Sequence, residues 1–426
     1  MGAGTARGGA CLFISGKVRK NMEFVVFAGV LLLLFIFMIV QELIQTKNQE
    51  KLFKKYLCEN YGKEPPKEYS LERFARLGSY LERHKEEKQL DDITWNDLGM
   101  DEVFRRIDRT YSAAGEEYLY YTLRNISCGR EALEHLEEVV NWLQEQENIK
   151  VRIQLLMKRL GHLGKYSLYD YLDNLDYLGE RSNRKIVLGN LLYLPFLLLL
   201  FVQPAMGTIG IVLCMLWHIM TYFREKKVIE PYIISFAYVL RLIDVCEELE
   251  KQKIPVYRRE LDELREALKS LRELRRGAYW VMAGNQGKIG GNPLDILADY
   301  LRMILHLDIF QFNRMLEKLR KKTGQVETML AITGYLDMAI SVGGFRKSLE
   351  GYCIPKLEED TEKAFLHMKK GWHPLLSQPV KNSIRADRGI LLTGSNASGK
   401  STFLKMVAVN AVLAQTIHTC AAESYH

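Results

Sequence analysis

Gly389–Gln415 reads GILLTGSNASGKSTFLKMVAVNAVLAQ, and three elements follow one another in it. Ile390–Thr393 is a short apolar run after an Asp387-Arg388-Gly389 turn, and it is expected to form a buried strand. Gly394 to Ser401 fits G-x-x-x-x-G-K-[ST]. Thr402–Gln415 contains neither Gly nor Pro and reads as a helix. Strand, glycine-bounded loop and helix in that order make a phosphate cradle. Gly394 and Gly399 let successive N–H groups turn inward, and the helix N-terminus adds partial positive charge. Lys400 can then reach the β- and γ-phosphates of a nucleotide, and Ser401 offers a hydroxyl to Mg²⁺. The expected phosphate contacts are Gly394, Ser395, Asn396, Ala397, Ser398, Gly399, Lys400, Ser401 and Thr402. The plain alternative, a serine-capped glycine turn, is disfavoured by the intact flanks.

The chain around this motif is not uniformly polar. It has 426 residues, 48% hydrophobic and 26% charged, which excludes a disordered or collagen-like chain. The net charge of +7 is too mild to stand as a nucleic-acid footprint. Seven scattered cysteines, none at metal-ligand spacing, argue against a zinc site and a disulfide framework, and for a reducing compartment. Phe24–Val40 is an uncharged apolar run, and Ile186–Phe223 contains no Asp, Glu, Lys or Arg. Gln203-Pro204 and Gly207 divide the second run into 186–202 and 206–223, each just long enough to span a bilayer. Arg181, Arg184 and Lys185 precede this hairpin, and Arg224, Lys226 and Lys227 follow it, which orients both flanks to the cytoplasm. Basic residues ahead of the first run conflict with that orientation, and translation starting at Met22 would remove them. A buried soluble hairpin is the alternative, although neither half has a polar face.

The polar parts read as helical. Val103, Phe104 and Ile107 fall at helical spacing, and Gly115 opens a second helix with Tyr118, Leu119 and Leu123. Tyr118, Tyr120 and Tyr121 are expected to pack rather than to stack on bases. From Pro255 to Arg276, Leu261, Leu264, Leu268, Leu271 and Leu274 make one apolar stripe, and Leu294 to about Gly343 is expected to form a second long helix. Two long helices in succession suggest a lever.

The cradle, preceded by Gly371-Trp372-His373-Pro374, resembles the start of the ATPase domain of the MutS mismatch-repair family. That family's loop is typically G-P-N-x-G-G-K-S-T. Asn396 matches its third position, while Ser395 and Ser398 stand in place of proline and glycine. MDEVFRRID and GEEYLYYTLR within Leu98–Arg124 are similar to the family's helical core, and LDMAISVGGFR (Leu336–Arg346) resembles the end of its lever helices. The likeness covers roughly 90–426 and is strongest toward the membrane-attached MutS-like proteins of bacteria. It implies ATP and Mg²⁺ as cofactors, Trp372, His373 and Pro374 near an adenine pocket, DNA as a partner, and a homodimer in the complete protein.

The resulting expectation is a mainly α chain with transmembrane helices, in which a helical core and lever region precede the start of an α/β P-loop NTPase domain. Its divisions are a tail (1–23), a first span (24–44), a helical core (45–185), the hairpin (186–223), lever helices (224–350) and the ATPase part (351–426). It is expected to lie in the bacterial cytoplasmic membrane, multi-pass, with the ATPase part in the cytoplasm. The chain is expected to continue beyond His426, because no acidic strand follows the cradle, and the 426 residues alone are expected to bind ATP without hydrolysing it. Two other readings stand beside this one: a fragment of an ABC-type transport ATPase, and a non-catalytic membrane tether or adaptor.

Overall fold

The computed structural model of the chain describes residues 37–38, 40–41, 44–64, 69, 71–86, 88–126, 129–163, 167–275, 300–358, 364–395 and 399–426. The expected tail, most of the first span and the Met22 start lie outside these residues. The chain divides into two compact units, 1–59 with 290–293, and 60–289 with 294–426. In the first, residues 44–59 are helical and carry an i,i+4 pair, Glu50–Lys54, at 3.0 Å.

The second unit is mainly helical. Its elements are α1 (Leu71–Arg83), α2 (Asp92–Leu98), α3 (Met100–Ile107), α4 (Ala113–Arg124), α5 (Arg130–Glu145), α6 (Glu147–Leu160) and α7 (Leu168–Asp173). There follow α8 (Arg184–Leu191), α9 (Tyr193–Val202), α10 (Pro204–Glu250), α11 (Arg258–Leu271), α12 (Leu307–Leu319), α13 (Thr323–Ser348) and α14 (Lys400–Ile417). Short-range chemistry sets many boundaries. Asp91 caps α2 by accepting from Thr94 N at 2.9 Å, and Ser112 caps α4 by accepting from Gly115 N at 3.0 Å. Gly115 therefore lies inside the helix and not at its opening. Its place there is dictated by α13, since a Cβ on Gly115 would come within 2.4 Å of Asp337 Oδ2.

Asp337 is the polar pin of the helical core. Buried on α13, its carboxylate accepts from Tyr111 N, Ser112 N and the Ser112 hydroxyl, the last two at 2.8 and 2.6 Å. Buried carboxylates demand such donors, and these lie at the positive end of α4. α13 runs along α4, α5 and α11. The leucine stripe of α11 and the turn after it, Leu261 to Leu274, is buried as its spacing predicts. The tyrosines pack: Tyr118 and Tyr121 meet Tyr80 at ring separations of 5.6 and 5.0 Å, and Tyr120 crosses Trp95 at 5.0 Å.

The expected second lever helix does not run unbroken. It is interrupted at His306, whose φ of 53° is left-handed, and again at Arg320–Lys322, giving α12 and α13. The hairpin also differs from expectation at its far end. α10 does not stop at Phe223 but continues to Glu250 as one 47-residue helix, with Pro231 inside it.

Arg184–Val202 and Pro204–Glu250 are long and apolar enough to cross a membrane, by length and composition. Thr323–Ser348 also meets that measure, but 83% of its most apolar window is buried within the helical body. Close approach of α9 and α10 rests on small residues. A Cβ on Gly207 would lie 2.6 Å from Leu200 N, and one on Gly210 would lie 2.1 Å from the Phe196 ring.

Candidate nucleotide site at the start of α14

A three-stranded antiparallel sheet flanks α14, with β1 (Leu366–Gly371) between β2 (Asn382–Ala386) and β3 (Ser424–Tyr425). The expected strand at Ile390–Thr393 is not formed. Residues 390–395 are irregular and exposed, Leu391 to 88%, and join no strand among the described residues. An apolar run becomes a buried strand only when neighbours take up its N–H and C=O groups, and the antiparallel sheet engages other segments.

The turn into α14 is set by a glycine. Gly399 holds φ at 81°, a left-handed value, and a Cβ there would meet nothing within 4 Å. Backbone angle, and not space, is what demands glycine. Phe403 N bonds Gly399 O at 2.9 Å, so the helix is under way at once. Gly399 offers no side-chain cap, and among the described residues the first-turn N–H groups of Lys400, Ser401 and Thr402 have no backbone acceptor. Lys400 Nζ donates to the Gly394 carbonyl at 2.6 Å and to the Ser395 carbonyl. The ammonium thus lies across the loop, on acceptors that a phosphate could replace. Ser401 and Thr402 are exposed beside it. Asn396, Ala397 and Ser398 lie outside the described residues.

These groups suit the phosphates of a nucleotide: one point charge, helix N–H groups without a backbone acceptor among the described residues, and in Ser401 a hydroxyl for Mg²⁺. Among the described residues no cluster of three or more His, Cys, Asp or Glu could hold a metal by itself.

Trp372, His373 and Pro374 are buried against the side of α14. Asn410 of α14 donates to Trp372 O at 3.0 Å and accepts from Ala421 N at 2.7 Å, while Trp372 N bonds Ala421 O at 2.9 Å. The Lys381 ammonium sits 4.7 Å from the centre of the indole ring. Burial, and then the charge of Lys405, lowers the His373 imidazole below its usual range.

The other end of α14 is held by residues outside the cradle motif. α14 ends at His418 with a left-handed φ of 50°. There Arg346, fully buried on α13, reaches Thr419 Oγ1 from Nε at 2.8 Å and pairs with Glu137 of α5 through Nη1 and Nη2 at 3.0 and 2.7 Å. Asn410 had a visible signal, as the one polar residue in VAVNAVLA. Arg346 stood at the end of the LDMAISVGGFR stretch without a role being legible there, and Glu137 had no signal.

A second polar cluster sits at the base of the α8–α10 hairpin. His218, 1% exposed, has no hydrogen-bond partner on either ring nitrogen among the described residues. It faces His306, with ring centres 5.2 Å apart, on a cavity of about 430 Å³ lined also by Arg181, Lys185, Thr221 and Asn313.

No family model matches this chain. Part of it is similar to known proteins. It is 28% identical over 123 residues to MutS protein homolog 4 of Homo sapiens, covering 27% of this chain and 12% of that protein. It is 33% identical over 110 residues to the DNA mismatch repair protein MutS of Acholeplasma laidlawii, covering 25% and 13%. With the DNA mismatch repair protein MutS of Leptospira interrogans it shares 31% over 124 residues, covering 26% and 14%. About a quarter of the chain is thus similar to MutS-family proteins, and it spans only a small fraction of their length.

Proposed function

We propose that this chain is a MutS-like, membrane-anchored protein that binds ATP with Mg²⁺ at residues 394–402 and passes the state of that site to its helical body. The observation that carries the reading is the Lys400 ammonium laid across the Gly394–Ser395 carbonyls at an uncapped helix N-terminus. ATP would draw Lys400 onto its β- and γ-phosphates, accept from the first-turn N–H groups, and bring a Mg²⁺ to Ser401. Trp372, His373 and Pro374, packed on the same helix, would flank the base. The similarity to MutS proteins supports this assignment, and DNA binding and homodimerisation come with it as family-level proposals. The hairpin of α8, α9 and the first half of α10 would be the anchor in a bacterial cytoplasmic membrane, with both flanks in the cytoplasm.

Calorimetry on the detergent-solubilised chain tests the site. Lys400→Ala should weaken MgATP binding at least about tenfold, since a lost charge-assisted contact is worth ~1.5–3 kcal/mol. Equal affinities in mutant and parent would sink the assignment. Cysteine labelling of intact cells tests the anchor: a probe at Ala205 should react from outside and one at Lys251 should not.

A further inference from the structure

Cys353 and Cys420 are far apart in sequence but face each other as an isolated antiparallel bridge. Cys353 N donates to Cys420 O at 2.9 Å, and Cys420 N returns to Cys353 O at 3.0 Å. Reciprocal bonding of this kind places the two Cα atoms about 5.5 Å apart, within the ~4.4–6.8 Å that a disulfide spans. Both residues are free thiols, and their side chains hydrogen-bond each other. Their surroundings are unequal. Cys420 is fully buried in a small core with Met368, Met406 and Tyr425, whereas Cys353 is only half-buried.

We propose that Cys353 and Cys420 form a reversible two-electron redox pair whose oxidant is a small-molecule disulfide of the glutathione type. Cys353 is the attacking group, because it is the reachable one, and the hydrogen bond from Cys420 lowers its thiol below the usual range. Cys420, pushed up by burial, is the resolving group. In the first step the Cys353 thiolate attacks one sulfur of the small disulfide. That S–S bond breaks, a mixed disulfide forms on Cys353, and one small thiol leaves with the proton Cys353 gave up. In the second step Cys420 Sγ attacks Cys353 Sγ, the mixed bond breaks, and a second small thiol leaves with the Cys420 proton. The protein loses two protons and two electrons, and the oxidant takes them up as two thiols.

The bond would close on a joint of the structure. Cys420 Sγ also lies 3.5 Å from Asn410 O on α14, an alternative acceptor for the same thiol proton, and the disulfide removes that proton. Asn410 is also the residue that holds Trp372 and Ala421. Two packed thiols acting only as small apolar filler would need neither reciprocal register nor an accessible member. Transient, regulatory disulfides are the kind expected in a reducing compartment.

The test uses the full chain in detergent, reduced and then incubated with glutathione disulfide, followed by non-reducing peptide mapping. The expected product is a Cys353–Cys420 linked peptide, two hydrogens lighter than the separate peptides and released by dithiothreitol. The exposed Cys58 should gain only a glutathione adduct. Cys420→Ser should trap the adduct on Cys353, and Cys353→Ser should leave Cys420 unmodified. A parent chain in which Cys353 stays reduced while Cys58 is modified overturns the proposal, as does an adduct that persists on Cys353 with Cys420 present. The readout is sulfur chemistry alone and holds whether or not a nucleotide binds.

Discussion

Arg346 Nη2 donates to the backbone carbonyl of His418 at 3.0 Å, so a side chain of α13 closes the helix whose other end is the candidate nucleotide site. The same nitrogen reaches Ile417 O at 3.3 Å. A guanidinium at a helix C-terminus meets the negative end of the helix dipole and the carbonyls left unpaired there. Through Glu137 the contact extends to α5, so one buried cation joins three helices.

Arg346→Met should destabilise the chain by about 3–5 kcal/mol, the range for removing one partner from a buried pair. It should also speed amide exchange over Lys400–Ile417. Arg346→Lys should recover only part of the loss, because an ammonium cannot reproduce the planar fork. Unchanged exchange in α14 would show that the two helices are not joined here.

Acid should act through Glu137. Burial opposes its charge, but His418 and Arg346 outweigh that and hold the carboxyl at about 2. A carboxylate depressed in the folded state contributes stability fully above its unfolded value near 4.5, and loses it as pH falls toward 2. Thermal melts of the parent should therefore drop between about pH 5 and pH 2, and Glu137→Gln should flatten that part of the curve. Parallel curves for the two proteins would contradict this.

Glu423 should not serve as the acid of a nucleotide-bound metal, so Glu423→Gln should leave MgATP binding at residues 394–402 unchanged. Metal-assisted phosphoryl transfer calls for an acidic residue at the metal. Within 403–426 the only acidic side chain is Glu423. It is spanned by Lys369 Nζ at 2.6 Å and Lys370 Nζ at 2.9 Å, whose hydrogen bonds hold it at about 2. Weaker MgATP binding by Glu423→Gln in calorimetry would contradict this.

Gly207 and Gly210 should differ in tolerance. An added methyl at Gly207 meets the backbone of Leu200, which cannot swing away, whereas at Gly210 it meets a phenylalanine ring that can. Gly207→Ala should therefore lower the melting temperature in detergent more than Gly210→Ala. The reverse order would mean that α9 and α10 pack in another register.

The parts legible in the sequence were those whose cause is local. The α11 stripe follows from a 3.6-residue period, and the paired apolar helices from an uncharged run broken by Gln203-Pro204; of the expected cradle, the structure shows the left-handed Gly399 and the helix after it. Ile390–Thr393 misled because four apolar residues specify a strand only together with partners that no local pattern reveals. The break at His306 was equally hidden, since the flanking residues keep helical spacing. Asp337 beneath Ser112, Arg346 beneath His418, and Cys353 against Cys420 all join residues remote in sequence. The geometry of the first two is set by helix packing, and that of the third by an isolated antiparallel bridge.

Pro231 gives α10 a further property. Lacking an N–H, it leaves the Lys227 carbonyl without its helical donor, the usual place for a long helix to bend. Between Gln203 and Pro231 the rise of ~1.5 Å per residue makes an arm of about 42 Å. A swing of about 10° at that point carries the far tip through about 7 Å, by the same geometry. Beyond Pro231 the helix is embedded among buried residues from Ile233 to Leu249, while the near arm is largely uncovered. A bend at Pro231 therefore moves the apolar arm while the packed half stays seated in the helical body.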